Sequence, residues 1–534
     1  LSQIYLPNAA DSARNSNGEI SPRTSLLIFL GLLLIGSARI AATYTVFNDT
    51  VDESQHIACG MQWLDQDVYR YEPGNPPLAR VMAAIGPYLA GARSADGMDS
   101  WADGRQILNT GGHYDRNLAL ARLGIMPFFW LASAVVFIWT RRGFGNLAAC
   151  FASLCFTNLP AVLAHAGLAT TDMAATATTG AAFLALLMWA ERASWWRTVF
   201  LGAAIAAAVL AKFTSLVFLP AAIFMALLCH LLFLPRPGRE QFLPWIRSHS
   251  LPLVVALAIA CGLIWAGYRF SFSGVPAPQL WQGFRDVMER NRSAYPSYLF
   301  GRYSEHGWWY YFPVALAVKT PLAFLGLMIV GCALCFRRRF CSPLAYALGI
   351  LIFAMAFSHV NPGIRHVLPM FVGLSVVAGA AAQYLWSSGL ATRAVLASLF
   401  LWMAVSSGLS HPDYLAYFNA FAGHHPEEIL VDSDLDWGQD TKRLALRLKE
   451  LGVKDLAFDP LNRGFVNDLQ ARHEFPAIHA LSPLGPSPGW NAGNITKLKL
   501  WRLSYKDQLW TDRIAPTEHV GKGILLWYVG RIGD

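Results

Sequence analysis

A chain of 534 residues with 54% hydrophobic and only 14% charged residues is too apolar for a soluble globular protein. Its net charge of +8 assigns no role in nucleic-acid binding, because the basic residues fall in short loops between apolar stretches, where membrane topology explains their sign. The eight cysteines lie mostly in or beside those stretches, which implies neither a disulfide framework nor a zinc site.

Residues 1–23 are polar, rich in Ser and Asn, and read as a cytoplasmic tail. Apolar segments follow at 24–47, 117–140, 147–168, 173–190, a pair within 199–234, then 251–270, 308–336, 343–358, 364–386 and 394–409. That makes about eleven spans, each near the ~20 residues that a bilayer core requires. The first is too long for a signal-peptide core and reads as a retained span.

Segment 199–234 reads as two spans turning near Lys212 to Ser215. With two spans, Arg141, Arg142, Arg192, Arg197, Arg236, Arg239, Arg337, Arg338, Arg339 and Arg393 share one side; with one span that bias is lost. These arginines are therefore assigned to the cytoplasm and the loop 48–116 to the outside. The same parity places 411–534 outside.

The expected architecture is an all-α polytopic membrane domain over 24–410, followed by a small α/β external domain over 411–534 of a size that can fold alone. Within that last part, E-E-I-L-V-D, K-D-L-A-F-D, K-L-K-L-W-R-L-S and I-L-L-W-Y-V-G read as strands. Residues 440–451 read as a helix with Leu444, Leu448 and Leu451 on one face and a stop at Gly452.

Chemistry concentrates directly after the first span. Asp52 and Glu53 are adjacent, His56 follows a helical turn later, and Glu72 with Asn75-Pro76-Pro77 closes the stretch. A paired carboxylate at a membrane surface can deprotonate a hydroxyl or hold a metal. Arg39, Arg122, Lys212, Lys319 and Arg365 lie inside apolar segments or at their lip. Each costs about 2.5–3.5 kcal/mol there unless it is paired or faces water, so together they predict a cavity open to the outer leaflet. An anionic lipid carrying a sugar on its phosphate suits such a cavity, with Arg80 the first candidate for the phosphate and Arg365 and Lys212 the next.

Asp172, in the turn that begins at His165, either caps a helix or joins the site. The alternating acids of D-S-D-L-D-W-G-Q-D, 432–440, imitate a calcium loop, but Trp437 stands where the loop needs Gly and Arg443 where it needs Glu. The segment reads as a polar turn entering a helix. A divalent metal ion bridging a carboxylate and the phosphate is left open: His56, Glu72, His306, His359 and His366 are all placed outside, without a compact ligand spacing.

The series D-E-S-Q-H, W-L-D-Q-D-V-Y and E-P-G-N-P-P-L resembles the first external loop of the type C glycosyltransferases, closest to the protein O-mannosyltransferases and their relative that adds aminoarabinose to lipid A. The stretches ending at Thr214 and Pro321, and R-H-V-L-P from Arg365 to Pro369, are similar to the same family, so the resemblance covers most of the membrane part. It implies transfer of a sugar from a polyprenyl-phosphate donor to a protein, lipid or glycan acceptor, with Asp52 as general base, Glu53 orienting the base or the acceptor, and Asp172 as a further site residue.

His56, Glu72, Asn75, His165 and Lys319 complete the substrate-binding set alongside Arg80, Lys212 and Arg365. Where the family carries Lys or His before P-P-L, this chain has Asn75, which leaves phosphate binding to other cations. Membrane lipids are the remaining expected partners, and a bacterial inner membrane the expected location. A flippase of lipid-linked sugars is the rival reading, which Lys319, deep in its segment, fits best; a non-catalytic envelope scaffold is the third.

Overall fold

Apolar runs in lipid become helices because the backbone there has no partner but itself. The computed structural model describes residues 20–95, 99–233, 239–293, 295–337, 342–505 and 508–530. Residues 1–19 of the expected tail, with Arg236, Arg338, Arg339 and Cys341, lie outside the described residues. Among the described residues, seven helices are long and apolar enough to cross a membrane, or nine if two sharply bent pairs each count as one span. The first is α1 (Pro22–Ala41), capped by the Ser21 hydroxyl.

The loop after α1 is itself helical. Helix α2 (Glu53–Asp65) packs on α3 (Pro77–Leu89) so closely that a Cβ on Gly60 would lie 1.9 Å from the Arg80 carbonyl oxygen. On its other side α2 meets the helix Ser100–Asn109, where a Cβ on Gly104 would lie 2.0 Å from the Ser54 carbonyl oxygen. These contacts fix the start of α2, where the acidic pair sits.

Helix α4 (Asp172–Glu191) follows a short turn, and α5 (Trp195–Ala211) runs to Lys212. A second helix resumes at Ser215–Phe233, so 199–234 is two helices broken at the expected place. Two other expected single spans are bent instead. Asn146–Thr157 and Pro160–Ala166 meet at 66°, and α6 (Tyr311–Lys319) meets Leu322–Arg337 at 118°. Pro160 and Pro321 stand at the two breaks, where proline removes an amide donor and clashes with the preceding turn. The depth of Lys319 in its segment therefore marks the end of a short helix.

Beyond the last apolar helix, Leu390–Leu409, the chain forms α7 (Thr441–Glu450), α8 (Ile495–Tyr505) and most of the strands. A hairpin of β1 (Ser297–Leu299) and β2 (Arg302–Ser304) precedes them in the chain. The five-stranded sheet comprises β3 (Asp455–Phe458), β4 (Ala477–His479), β5 (Gly489–Asn494), β6 (Glu518–Val520) and β7 (Ile524–Val529), in the order β4-β3-β5-β7-β6. β3 pairs parallel with β4 and β5, while β7 pairs antiparallel with β5 and β6.

K-D-L-A-F-D and I-L-L-W-Y-V-G thus contain strands. K-L-K-L-W-R-L-S lies within α8 instead, its Leu498 and Trp501 packing on one apolar cluster at a spacing of three rather than two. E-E-I-L-V-D is irregular, with short 3-10 turns at its ends, its Leu430 and Val431 buried. One apolar core runs continuously from the membrane helices into this part, reaching Tyr414, Leu430, Leu444, Leu456 and Leu526.

Candidate active site

Asp52 and Glu53 begin α2 and turn to different surroundings. Asp52 makes no cap bond and its side chain is 33% exposed. Glu53 is fully buried: Arg122 Nε and Nη2 donate to its two oxygens at 2.9 and 2.8 Å, and the Ala169 and Thr50 amides donate at 2.8 Å each. Burial alone would raise the Glu53 carboxyl, but the Arg122 guanidinium and the amides outweigh it and hold the acid below its usual range. Glu53 is a bracket joining three stretches of chain, and it places Asp52.

The side chain opposite Asp52 is Arg365, in a 3-10 turn over Ile364–Val367. Its Nη1 lies 3.3 Å from Asp52 Oδ2 and 3.8 Å from Asp172 Oδ2, and its guanidinium carbon stands 4.1 Å from the centre of the Trp437 ring. Arg365 Nε is buried without a hydrogen-bond partner among the described residues. Asp172 is buried at the start of α4, and its other oxygen accepts from Lys212 Nζ at 2.6 Å. Asp52, Arg365, Asp172 and Lys212 therefore form one run of alternating charge, drawn from four separate regions of sequence. Its more exposed end is Asp52.

Other expected site residues sit elsewhere. Arg80, the first candidate for the phosphate, has a wholly buried side chain closed in by acceptors. Nε donates to His56 Nδ1 at 3.0 Å, Nη1 to Tyr69 Oη at 2.8 Å and the Glu72 carbonyl at 2.6 Å, and Nη2 pairs with the Glu72 carboxylate. His56 and Glu72 are thereby partners of Arg80. Burial, with Arg80 beside it, drives the His56 imidazole well below its usual range, whereas Arg80 outweighs burial at Glu72 and lowers it.

Asn75 joins the same knot, its carbonyl accepting from Tyr69 and Arg80 and its amide donating to Glu72 at 3.3 Å. Lys319 is likewise not free for substrate: its buried ammonium donates to the Leu415 carbonyl at 2.8 Å and the Asp434 carbonyl at 2.5 Å. His165 is buried, with Nδ1 lacking a hydrogen-bond partner among the described residues.

The acidic turn 432–440 belongs to the site's frame, which its reading as a polar turn did not anticipate. The Trp437 carbonyl accepts from the Val51 amide at 3.2 Å, and the Gly438 carbonyl from Asn48 Nδ2 at 2.8 Å. Asp434 accepts from the Ile364 amide at 3.1 Å, and Asp436 from Asn494 and Thr496 at 3.2 and 3.3 Å. The run of acids was the available signal; its long-range partners were not visible. Among the described residues no group of three or more His, Cys, Asp or Glu side chains is arranged to hold a metal ion. Asp52 and Asp172 both face Arg365 instead, so these residues do not fit a divalent metal and no step is assigned to one.

Residues 32–272 match the sequence profile of the family described as dolichyl-phosphate-mannose-protein mannosyltransferase. No curated protein sequence matches the chain. The crystal structure of ArnT from Cupriavidus metallidurans bound to undecaprenyl phosphate is similar in fold, with a TM-score of 0.52 and 15% identity over 95% of this chain and 98% of that one. The apo form of the same protein gives 0.50 and 14% over the same shares. The apo oligosaccharyltransferase of Archaeoglobus fulgidus gives 0.45 and 14%, covering 71% of this chain and 54% of that one. Residues 32–272, a little under half of the chain, are thus similar to the dolichyl-phosphate-mannose-protein mannosyltransferase family, and the chain is a membrane protein that shares its fold with ArnT.

Proposed function

We propose that this protein is an integral membrane glycosyltransferase that moves a sugar from a polyprenyl-phosphate donor to a hydroxyl of a protein, lipid or glycan acceptor at the external face of a bacterial inner membrane. The observation that carries the reading is the charge run ending at the partly exposed Asp52, whose only ion-pair partner among the described residues is Arg365. The family match over the N-terminal half supports the reaction class, and the complex of ArnT with undecaprenyl phosphate supports the donor class.

Asp52 takes the acceptor's hydroxyl proton as its oxygen attacks the sugar's anomeric carbon. The bond from that carbon to the phosphate oxygen breaks, and the electron pair leaves with the polyprenyl phosphate. That leaving group is a weak base and needs charge stabilisation more than a proton. Arg365 and Lys212 supply it, positioned by Asp172 before the donor arrives. A donor phosphate also draws Arg365 away from Asp52 and frees the base. Lys319, the residue that best fitted transport, is accounted for by its two carbonyl partners at a helix break.

The test is transfer of radiolabelled sugar from a panel of polyprenyl-phosphate sugars to membrane acceptors, comparing purified wild type with Asp52→Asn. Loss of general-base assistance is expected to cost about 10²- to 10⁴-fold in rate with the fold intact. Unchanged transfer would remove Asp52 from the mechanism; no transfer from any donor would move the protein to the flippase or scaffold class.

A further inference from the structure

The turn at 432–434 is fastened into the site from several sides. The Asp432 amide donates to Thr496 Oγ1 at 3.0 Å, Ser433 Oγ donates to the Pro362 carbonyl, and Asp434 accepts from the Ile364 amide. These bonds tie the turn to the segment that carries Arg365. Asp432 itself has a φ of 57°, a left-handed conformation unfavourable for residues with a Cβ and least so for Asp and Asn. Its Oδ1 accepts from the Ser433 amide at 2.6 Å, while Oδ2 has no hydrogen-bond partner among the described residues and the residue is partly exposed.

The site's two cations already have carboxylates. Lys212 holds Asp172, and Arg365 lies beside Asp52 and Asp172. Asp432 is in electrostatic range of Arg365 and Asp52 but forms an ion pair with no described residue. Burial pushes its carboxyl up to about 6, Arg365 opposing and Asp52 adding to the shift. Three tyrosines lie within range of the same carboxylate: Tyr295, Tyr303 on β2 and Tyr311 on α6. Tyr303 Oη is buried without a hydrogen-bond partner among the described residues.

A third carboxylate repels a phosphate, so it does not belong to the phosphate's own subsite. A partly exposed carboxylate oxygen without a partner, on a turn fastened to the segment that carries Arg365, instead matches a neutral polyol, whose hydroxyl protons it accepts. We infer that Asp432 receives hydroxyls of the donor's sugar ring and so sets which sugar is transferred, while Arg365 and Lys212 take the phosphate. This rests on the glycosyltransferase reading above.

The test measures binding of full-length protein to undecaprenyl phosphate and to undecaprenyl phosphates carrying mannose, glucose, galactose or arabinose. Wild type is expected to hold one glycosylated ligand about 10-fold or more tighter than undecaprenyl phosphate, the scale of a hydrogen bond to a charged group. Asp432→Asn should bind that ligand and undecaprenyl phosphate nearly equally, with its affinity for undecaprenyl phosphate no lower than that of wild type. Asp432→Gly, which accepts the left-handed backbone without strain, should behave alike and guards against a folding defect of the first variant.

A sugar preference that survives in either folded variant would overturn the inference, as would affinity for undecaprenyl phosphate falling along with it, or a wild type that prefers no sugar over undecaprenyl phosphate. Unfolding of both variants would make Asp432 a structural residue, with the same consequence. A wild type that binds neither kind of ligand would sink the glycosyltransferase reading itself, and this inference with it.

Discussion

Asp52 and Glu53 are neighbours in sequence and opposites in environment. Successive side chains on a helix point about 100° apart, so at the start of α2 one carboxylate turns to the cleft and the other into the protein. Glu53 answers four donors and is the carboxylate partner of the buried Arg122. Breaking such a pair from one side leaves an uncompensated buried charge and costs about 3–5 kcal/mol. Glu53→Gln is therefore expected to lower the thermal unfolding midpoint of the purified protein sharply, while Asp52→Asn leaves it nearly unchanged. Similar losses in the two variants would contradict this division of roles. The pair stood out in the sequence, but the division did not, because Arg122 and the Ala169 amide arrive from 69 and 116 residues away. The partners of Arg80 are hidden for a similar reason: its place after P-P-L suits a phosphate, and only folding reveals that Tyr69, Glu72 and His56 occupy its donors.

Elements were legible where periodicity or length alone decides them. Apolar runs gave the membrane helices, and the leucines at 444 and 448 gave α7, since both are buried on one face. Bends were not legible, because a run broken by Pro160 or Pro321 keeps the length of a single span. The acidic turn was the largest omission, and its burial has a consequence for pH. Burial pushes the Asp436 carboxyl up to about 7, the nearby Asp440 adding to it against the Gly438 and Thr496 amides, and burial pushes Asp440 up to about 6. An acid whose folded pKa is raised binds its proton more tightly when folded. Its contribution is fully present below the unfolded value near 3.8 and is lost as pH rises through about 7. Hydrogen exchange in the turn 432–440, corrected for intrinsic rate, should show protection falling between pH 4 and 7. Asp436→Asn should flatten that fall; a protection profile independent of pH in wild type would show that Asp436 is ionised without cost.

At the scale of the molecule, the part after residue 410 was expected to be an external domain able to fold alone, and its contacts argue for a different behaviour. Lys319 of α6 donates to carbonyls of Leu415 and Asp434, Asn462 Nδ2 donates to the Asp49 carbonyl at 3.1 Å, and Lys442 pairs with Asp115 at 2.6 Å. The Trp437 ring lies against Arg365, and one apolar core includes residues from both sides of the boundary. A domain boundary normally falls where few contacts cross. Removing the C-terminal part would strip Lys319 of both carbonyls and leave a buried ammonium unsatisfied, a cost of the same order as other buried unpaired charges, several kcal/mol. It would also remove the stacking face that orients Arg365. A chain ending at Ser410 is therefore expected to reach the membrane yet bind undecaprenyl phosphate at least about 10-fold more weakly than the full chain, in line with losing an oriented charge-assisted contact. The complementary piece, 411–534, is expected to show no cooperative thermal unfolding by itself, because Tyr414, Leu430 and Leu444 would lose the apolar surface they share with the membrane helices. Both are measured on separately purified pieces. Full-strength lipid binding by the first, or a sharp melting transition in the second, would restore the two-domain reading and confine the C-terminal part to a role outside the site.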